Sequence, residues 1–562
     1  MKKIAFLLLL LVSAGASGQR FYLEVTSASA REKKAVDSIG YVKIHPSPKA
    51  AQDQAKAFLE HTRKLGWLES EIVENKKTND STFHYVFTLG QRVEVIHIYI
   101  GINPEAKSLA FPNEKKDTLT LPFPETEAFL NSALNRLENY GYSLSKVKLI
   151  DLNRRGSAMA ATLLIEPGQA RQINDIVING YDKFPEGHKR QVRRMYRNKV
   201  FNKETLAKIH ADFEKFRFVS QSKYPEILFT KDTTKIFVYL EKAKANKFDG
   251  FIGFSNDESD DGSSKIRFNG YLDLLLANIL NSGEQFSLYW KSDGKQQTTF
   301  NAGIELPYVF RSPIGLKASL NIFKQDSTFQ NTKTAIALGY FFNYNTRLYL
   351  GYESTQSSDI QNQNTTAISD FDNQFFTSAL EFTRFKPEDF LFPEKTTVLA
   401  RAGVGQRDSK LLSDTQWLAE VNLSHNIYLD DKNIINLRSR NFYLKSDSYL
   451  VSELHRFGGI NSVRGFNENS LQANLFTSLL TEYRYVFAPG LYMHTIVDYG
   501  YFRDETILDS GNQDNTLLGL GFGFGLLTKN GLFNLVYANG STGDQTVKLS
   551  NSIVHISFKA TF

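Results

Sequence analysis

The chain of 562 residues contains no cysteine. This excludes a disulfide framework, a thiolate metal site and a cysteine nucleophile. Long apolar runs are also missing. Beyond the run from Ile4 to Val12 nothing approaches the ~20 apolar residues of a membrane-crossing helix. That run is itself too short to cross ~30 Å of hydrocarbon as a helix. Lys2 and Lys3 precede it and Ala14-Gly-Ala-Ser-Gly18 follows it, so residues 1–18 read as a secretory signal. A large excess of one sign of charge is missing as well: 66 Lys and Arg against 60 Asp and Glu leave a net +6, which does not point to nucleic acid. The ten histidines are scattered, without metal-ligand spacing or a Ser/His/Asp order. Neither a metal, a cofactor nor an enzymatic activity is expected.

Aromatic residues are abundant: 44 Phe and 26 Tyr. Mean hydropathy is nevertheless negative, at -0.32. A transmembrane β-barrel combines these properties, because outward apolar and inward polar residues alternate and cancel in any average.

The chain changes period near residue 246. Before it, helical patterns (Ala50 to Leu65, Thr126 to Tyr140, Lys203 to Phe216) alternate with strand-like runs. These runs are Phe83 to Leu89, Lys146 to Ile150, Ala160 to Ile165 and Lys235 to Leu240. Gly90-Gln-Arg-Val-Glu-Val-Ile-His-Ile-Tyr-Ile-Gly101 aligns with Gly168-Gln-Ala-Arg-Gln-Ile-Asn-Asp-Ile-Val-Ile-Asn-Gly180. Each copy reads as a strand that opens a small α+β module. Three modules are expected, over 19–90, 91–168 and 169–245.

From Lys247 onward the period is two. Phe248, Gly250, Ile252 and Phe254 alternate with a face that includes Asp249 and Ser255, and polar turns recur as far as Lys529-Asn-Gly531. Runs of about ten residues between those turns predict roughly sixteen strands over 246–562. The terminal run Val554-His-Ile-Ser-Phe-Lys-Ala-Thr-Phe562, with Ile556, Phe558 and Phe562, reads as a lipid-facing last strand.

One Gly-rich segment stands apart: Arg456-Phe-Gly458-Gly459-Ile-Asn-Ser-Val463-Arg464-Gly465-Phe466-Asn467, in the loop after the eleventh predicted strand. Three α+β repeats, about sixteen strands, this loop motif and a terminal Phe together resemble the BamA/TamA superfamily of outer-membrane assembly and translocation factors. The fold implied is α+β POTRA repeats followed by an all-β, 16-stranded antiparallel transmembrane barrel. The resemblance implies an insertase or translocase with POTRA domains in the periplasm. Its partners would be unfolded outer-membrane or secreted clients, outer-membrane lipid, and periplasmic or lipoprotein accessory factors. The missing helix ahead of the first repeat argues against a two-partner secretion transporter. A passive porin or surface-binding barrel is the alternative.

In the resembled family this loop is tucked into the barrel, with its Arg paired to an acidic residue. That suggests Arg464 with Asp498, in Val497-Asp-Tyr-Gly500; Glu482 is the competing partner. Period two agrees, since it turns Leu491, Met493, Val497, Tyr499 and Tyr501 outward and His494, Asp498 and Gly500 inward. It places Glu482 and Arg484 on one inward face. A buried Arg needs a carboxylate.

Gly519, Gly521, Gly523 and Gly525 leave one bare strand face, suited either to receiving the loop or to barrel curvature. Asp257 to Gly262 is a calcium candidate or a solvated acidic loop. The basic stretch from His188 to Lys199 lies at lipid headgroups or in solvent.

Overall fold

The computed structural model describes residues 20–561, apart from 28, 259–263, 293–296, 366, 387–388, 411–412, 508–512, 529–530 and 544–551. At 251–258, 264–269 and 556–561 the backbone alone is described. The signal segment, Ser259 to Gly262 of the acidic candidate, and Phe562 lie outside the described residues. No described helix is long and apolar enough to cross a membrane. The chain forms two compact units, one of residues up to 173 with 198–206, the other of 174–197 with 207 onward.

In the first unit, β1 (Phe21–Ser27), α1 (Ala30–Ile39), β2 (Ile44–His45), α2 (Pro48–Lys64), β3 (Glu71–Lys77) and β4 (Thr82–Thr88) form one module. Its sheet runs β2-β1-β4-β3, with β1 parallel to β4. The Ser47 side chain accepts a hydrogen bond from Ala50 N (3.2 Å) and Pro48 occupies the first turn, which starts α2. Gly66 ends it at φ 105°, where a Cβ would sit 2.1 Å from Val93 O. Ala51, Ala55 and Phe58 share a helical face and pack on Leu23, Val25 and Phe87. The strand β1 and helix α1 have no counterpart in the sequence reading.

A second module repeats this order. It comprises β5 (Val95–Tyr99), α3 (Pro104–Ala110), β6 (Thr118–Pro122), α4 (Thr126–Asn139), β7 (Lys146–Arg155) and β8 (Ala158–Glu166). The sheet is β6-β5-β8-β7, with β5 parallel to β8. Ile96, Ile98, Ala133, Leu137 and Leu163 make its core.

The second unit opens with β9 (Asp175–Asn179), α5 (Glu186–Tyr196), the end of α6 (Lys203–Glu214), β10 (Val219–Phe229) and β11 (Thr234–Lys242). These strands form a three-stranded sheet, β10-β11-β9. The repeated segments of the sequence lead into β5 and β9.

The barrel begins with β12 (Lys247–Glu258), β13 (Ser264–Ala277), β14 (Gln285–Ser292), β15 (Gln297–Leu306) and β16 (Ile314–Gln325). It continues through β17 (Phe329–Asn343), β18 (Thr346–Asp359), β19 (Phe371–Phe385), β20 (Glu394–Ser409), β21 (Ser413–Tyr428) and β22 (Asn433–Lys445). A two-stranded ribbon, β23 (His455–Phe457) with β24 (Leu471–Ala473), interrupts it. The last strands are β25 (Leu475–Ala488), β26 (Leu491–Arg503), β27 (Asp514–Thr528), β28 (Gly531–Thr542) and β29 (Ile553–Thr561). Sixteen antiparallel strands close where Lys247 pairs with Thr561 and Phe248 with Ala560.

Period-two alternation decides which face is which. On β26, Met493, Val497 and Tyr499 are exposed, while Tyr492, His494, Ile496, Asp498 and Gly500 are buried. Short turns lie at the rim where the chain enters, and the loop 446–474 rises from the opposite rim.

Helix α5 divides its faces between solvent and the entry rim. Arg190 and Arg194 are exposed, whereas His188, Gln191, Val192 and Tyr196 are buried. Gln191 Nε2 donates to Arg311 O (3.0 Å) in the turn after β15. The His188 ring stands perpendicular to Tyr308 at 4.8 Å and also meets Phe216, Phe218 and Tyr344. A Cβ on Gly283 would lie 2.0 Å from His188 Cε1, so that turn needs a bare backbone. Burial, with a smaller push from the Arg347 charge, lowers the His188 pKa to about 3.

Candidate functional site: the loop inside the barrel

The loop 446–474 folds into the lumen. Gly458, Gly459 and Gly465 adopt φ of 106°, 94° and 90°, so the backbone turns in a region that side chains disfavour. Val463 is fully buried against Phe457, Phe476, Leu480, Phe502 and Leu517, and Phe466 packs at the edge of that cluster. This apolar seat fixes the residue before Arg464.

Arg464 is 1% exposed, Asp498 0% and Glu482 6%. Arg464 forks onto Asp498, with Nε donating to Oδ2 (2.8 Å) and Nη2 to Oδ1 (2.5 Å). Its backbone N–H also donates to Asp498 Oδ2 (3.0 Å). The remaining terminal nitrogen, Nη1, donates to Glu482 Oε1. Asp498 and Glu482 are therefore not alternatives; Arg464 takes both. Burial alone would lower the Arg464 pKa, but its hydrogen bonds and the two carboxylates hold it above its ordinary value. Glu482 is shared further: Arg438 Nη2 donates to it at 2.8 Å and Arg484 Nε at 2.7 Å. One carboxylate thus serves three guanidinium groups, and the loop tip is wired into β22, β25 and β26.

Two glycines let the loop backbone reach the wall. A Cβ on Gly519 would sit 2.4 Å from Arg464 O, and one on Gly540 would sit 2.6 Å from Gly465 O. Of the four alternating glycines of β27, only Gly519 meets the loop. Gly523 and Gly525 instead face the rings of His494 and Tyr492, and Gly521 faces β28. Gly540 of β28 is the second receiving position. Nothing in its neighbourhood marks it, since the close approach comes from a loop 75 residues earlier.

A second buried cation, also unread from the sequence, holds the base of the same loop. Arg407 of β20 is 0% exposed. It donates from Nη1 to Glu453 Oε1 (2.6 Å), from Nη2 to Ser448 Oγ (2.7 Å), and also contacts Asp414. Gln416 Nε2 adds a bond to Glu453 Oε2 (2.8 Å). At the tip the loop supplies the cation; at the base it supplies the anion. Alternation of Ala400, Ala402 and Val404 with Arg401 and Arg407 could have placed Arg407 inside, but not its partners. A cavity of about 690 Å³ remains beside Arg464, lined in part by Asp249, Asp273, Lys291, Arg438, Arg484 and His555. Among the described residues no group of His, Asp and Glu is arranged to hold a metal ion. Ile556 and Phe558 lie on β29, whose backbone alone is described there.

A family profile described as the Omp85 superfamily domain matches residues 278–550. The matched segment takes in β14 to β28, most of the barrel. CdiB from Acinetobacter baumannii is similar in structure, with a TM-score of 0.51 and 14% identity over 91% of this chain and 98% of that one. CdiB from Escherichia coli also gives 0.51 and 14%, over 96% of this chain and 100% of that one. BamA from Haemophilus ducreyi lacking POTRA domains 1–3 aligns at a TM-score of 0.48 and 14% identity, over 82% and 97% of the two chains. No curated protein matches the sequence. The barrel that carries this match is an outer-membrane structure. The exposed apolar faces of its strands, such as Met493, Val497 and Tyr499, are its lipid surface.

Proposed function

We propose that this protein is an outer-membrane insertase or translocase. Its three α+β modules act as POTRA domains in the periplasm, and its barrel opens laterally between β12 and β29. The observation that carries this reading is the closure. The β12–β29 ladder runs over two residue pairs, whereas β28 and β29 pair over eight. A seam joined by so few hydrogen bonds is the cheapest place to part the wall. A client strand would add to the freed edges. Edge strands β3, β7 and β10 of the modules offer unfolded clients the same backbone pairing before they reach the barrel. Lipid contacts the outer face, and accessory periplasmic or lipoprotein factors would deliver clients to the modules.

The test uses the absence of native cysteine. Phe248 and Ala560 are cross-strand partners, a spacing that a disulfide can bridge. Phe248→Cys with Ala560→Cys should lock the seam, leave the barrel folded and deplete client proteins from the outer membrane until reductant is added. A locked protein that sustains an unchanged outer-membrane proteome overturns lateral opening.

A further inference from the structure

The loop 446–474 does not stay on one side of the seam. Arg464 is fixed to β25 and β26, and Gly465 lies against Asn539 and Gly540 of β28. Ile460, a few residues earlier, packs on Ile496, Val536 and Ala538, again on β26 and β28. Four residues after Arg464 the chain reaches the other side. Glu468 pairs with Lys291 of β14 and accepts from Tyr289 Oη (3.4 Å), and Gln297 Nε2 of β15 donates to Asn469 O (3.4 Å). Strands β28 and β14 are separated along the wall by β29, β12 and β13, the arc that contains the seam. The cavity beside Arg464 is lined from both sides of the seam, by Val554 and His555 of β29 and by Asp249 of β12.

The two ends of this bridge differ in strength. Arg464 and its carboxylates are 0–8% exposed at their side chains, whereas Glu468 and Lys291 are 33% and 38% exposed. A charge pair wet to that degree is weak and salt-screened, and a buried forked pair is neither. We propose that residues 464–468 form a latch across the seam, anchored permanently through Arg464 on the last-strand side and releasably through Glu468–Lys291 on the first-strand side. This rests on the lateral-opening reading and adds to it the element that holds the gate shut. When β12 and β13 swing away from β29, Lys291 moves with them. The Glu468 contact breaks first, while the loop stays seated on β26 and β28.

The experiment measures disulfide formation at the seam, through Phe248→Cys with Ala560→Cys, in the full-length protein in native outer-membrane vesicles. Glu468→Gln should slow oxidation, because the seam spends more time open. A change of about two- to fivefold in the open-to-closed ratio of the seam, which the oxidation rate reads, is expected from the loss of one exposed ion pair. The charge swap Glu468→Lys with Lys291→Glu should restore the wild-type rate. Raised salt should slow oxidation in the wild type but not in Glu468→Gln. Urea unfolding of Glu468→Gln matching wild type shows that the barrel itself is intact. An unchanged oxidation rate in Glu468→Gln, or a swap that fails to restore it, overturns the latch. Loss of activity on seam oxidation, seen together with that result, leaves lateral opening standing. Retained activity in the oxidised wild-type background removes lateral opening itself.

Discussion

The second α+β module and the barrel bury side chains equally well and with opposite chemistry. Inside the module lie Ile96, Ile98, Ala133, Leu137 and Leu163. Inside the barrel lie Arg464, Arg407, Asp498 and Glu482. The difference follows from what surrounds each one. Water outside drives apolar groups into the module. Hydrocarbon outside removes that drive from the barrel, leaves apolar side chains on its outer face and lets charged groups gather within. A charged interior can be rigid only if every ion is paired, and the tip and base of the loop 446–474 satisfy that condition.

The first way to break this comparison is to unpair the barrel interior. Arg464→Ala leaves Asp498 and Glu482 facing two guanidinium groups in place of three, and is expected to cost ~3–5 kcal/mol. Urea unfolding of the barrel and protease sensitivity of 446–474 would measure it. Arg464→Lys should recover part of the loss, since an ammonium cannot fork onto Asp498. Asp498→Asn combined with Arg464→Ala should cost well under the sum of the two. Additive costs would mean that the pair seen at 2.5 and 2.8 Å is not what holds the loop.

A second way is to put a charge on the wrong side of the wall. Val497 and Asp498 are neighbours on β26, one exposed on the lipid face and the other buried. Val497→Arg is expected to destabilise the barrel by ~2–4 kcal/mol in bilayers. In a module the same kind of outward substitution, at exposed Leu152, should be nearly neutral. Equal effects in the two regions would remove the solvent argument.

His188 sharpens the boundary between the two regimes. It belongs to a water-facing module, yet it is enclosed by Phe216, Phe218, Tyr308 and Tyr344, with Arg347 the nearby charge. Its folded pKa of about 3 lies below the unfolded 6.5, so the folded state resists protonation. Stability is complete above ~6.5 and is lost as pH falls toward 3, at ~1.4 kcal/mol per pH unit. Hydrogen exchange of α5 should therefore accelerate about tenfold between pH 5.5 and 4.5, after correction for intrinsic rates. His188→Phe should abolish that extra acceleration, and a mutant that keeps it would assign the effect to another group.

Much of this protein follows from local pattern. Period two marks each barrel strand and assigns Met493, Val497 and Tyr499 outward and His494 and Asp498 inward, because alternation is a property of the extended backbone itself. The Gly-rich motif at 458–466 marks the loop, since only glycine takes its positive φ values freely. The repeat beginning at Gly90 and Gly168 marks the strands β5 and β9. What pattern cannot supply is which distant groups meet. Arg464 was legible as a charge in need of a partner, but its division between Asp498 and Glu482 depends on how β25 and β26 sit beside a loop folded inward. Arg407 with Glu453, Gly540 under Gly465, His188 among the rings of Phe216, Phe218, Tyr308 and Tyr344, and Glu468 across from β14 leave no trace in their own neighbourhoods. Each joins residues tens to nearly two hundred positions apart, and only closure of the barrel and insertion of the loop bring them within contact distance.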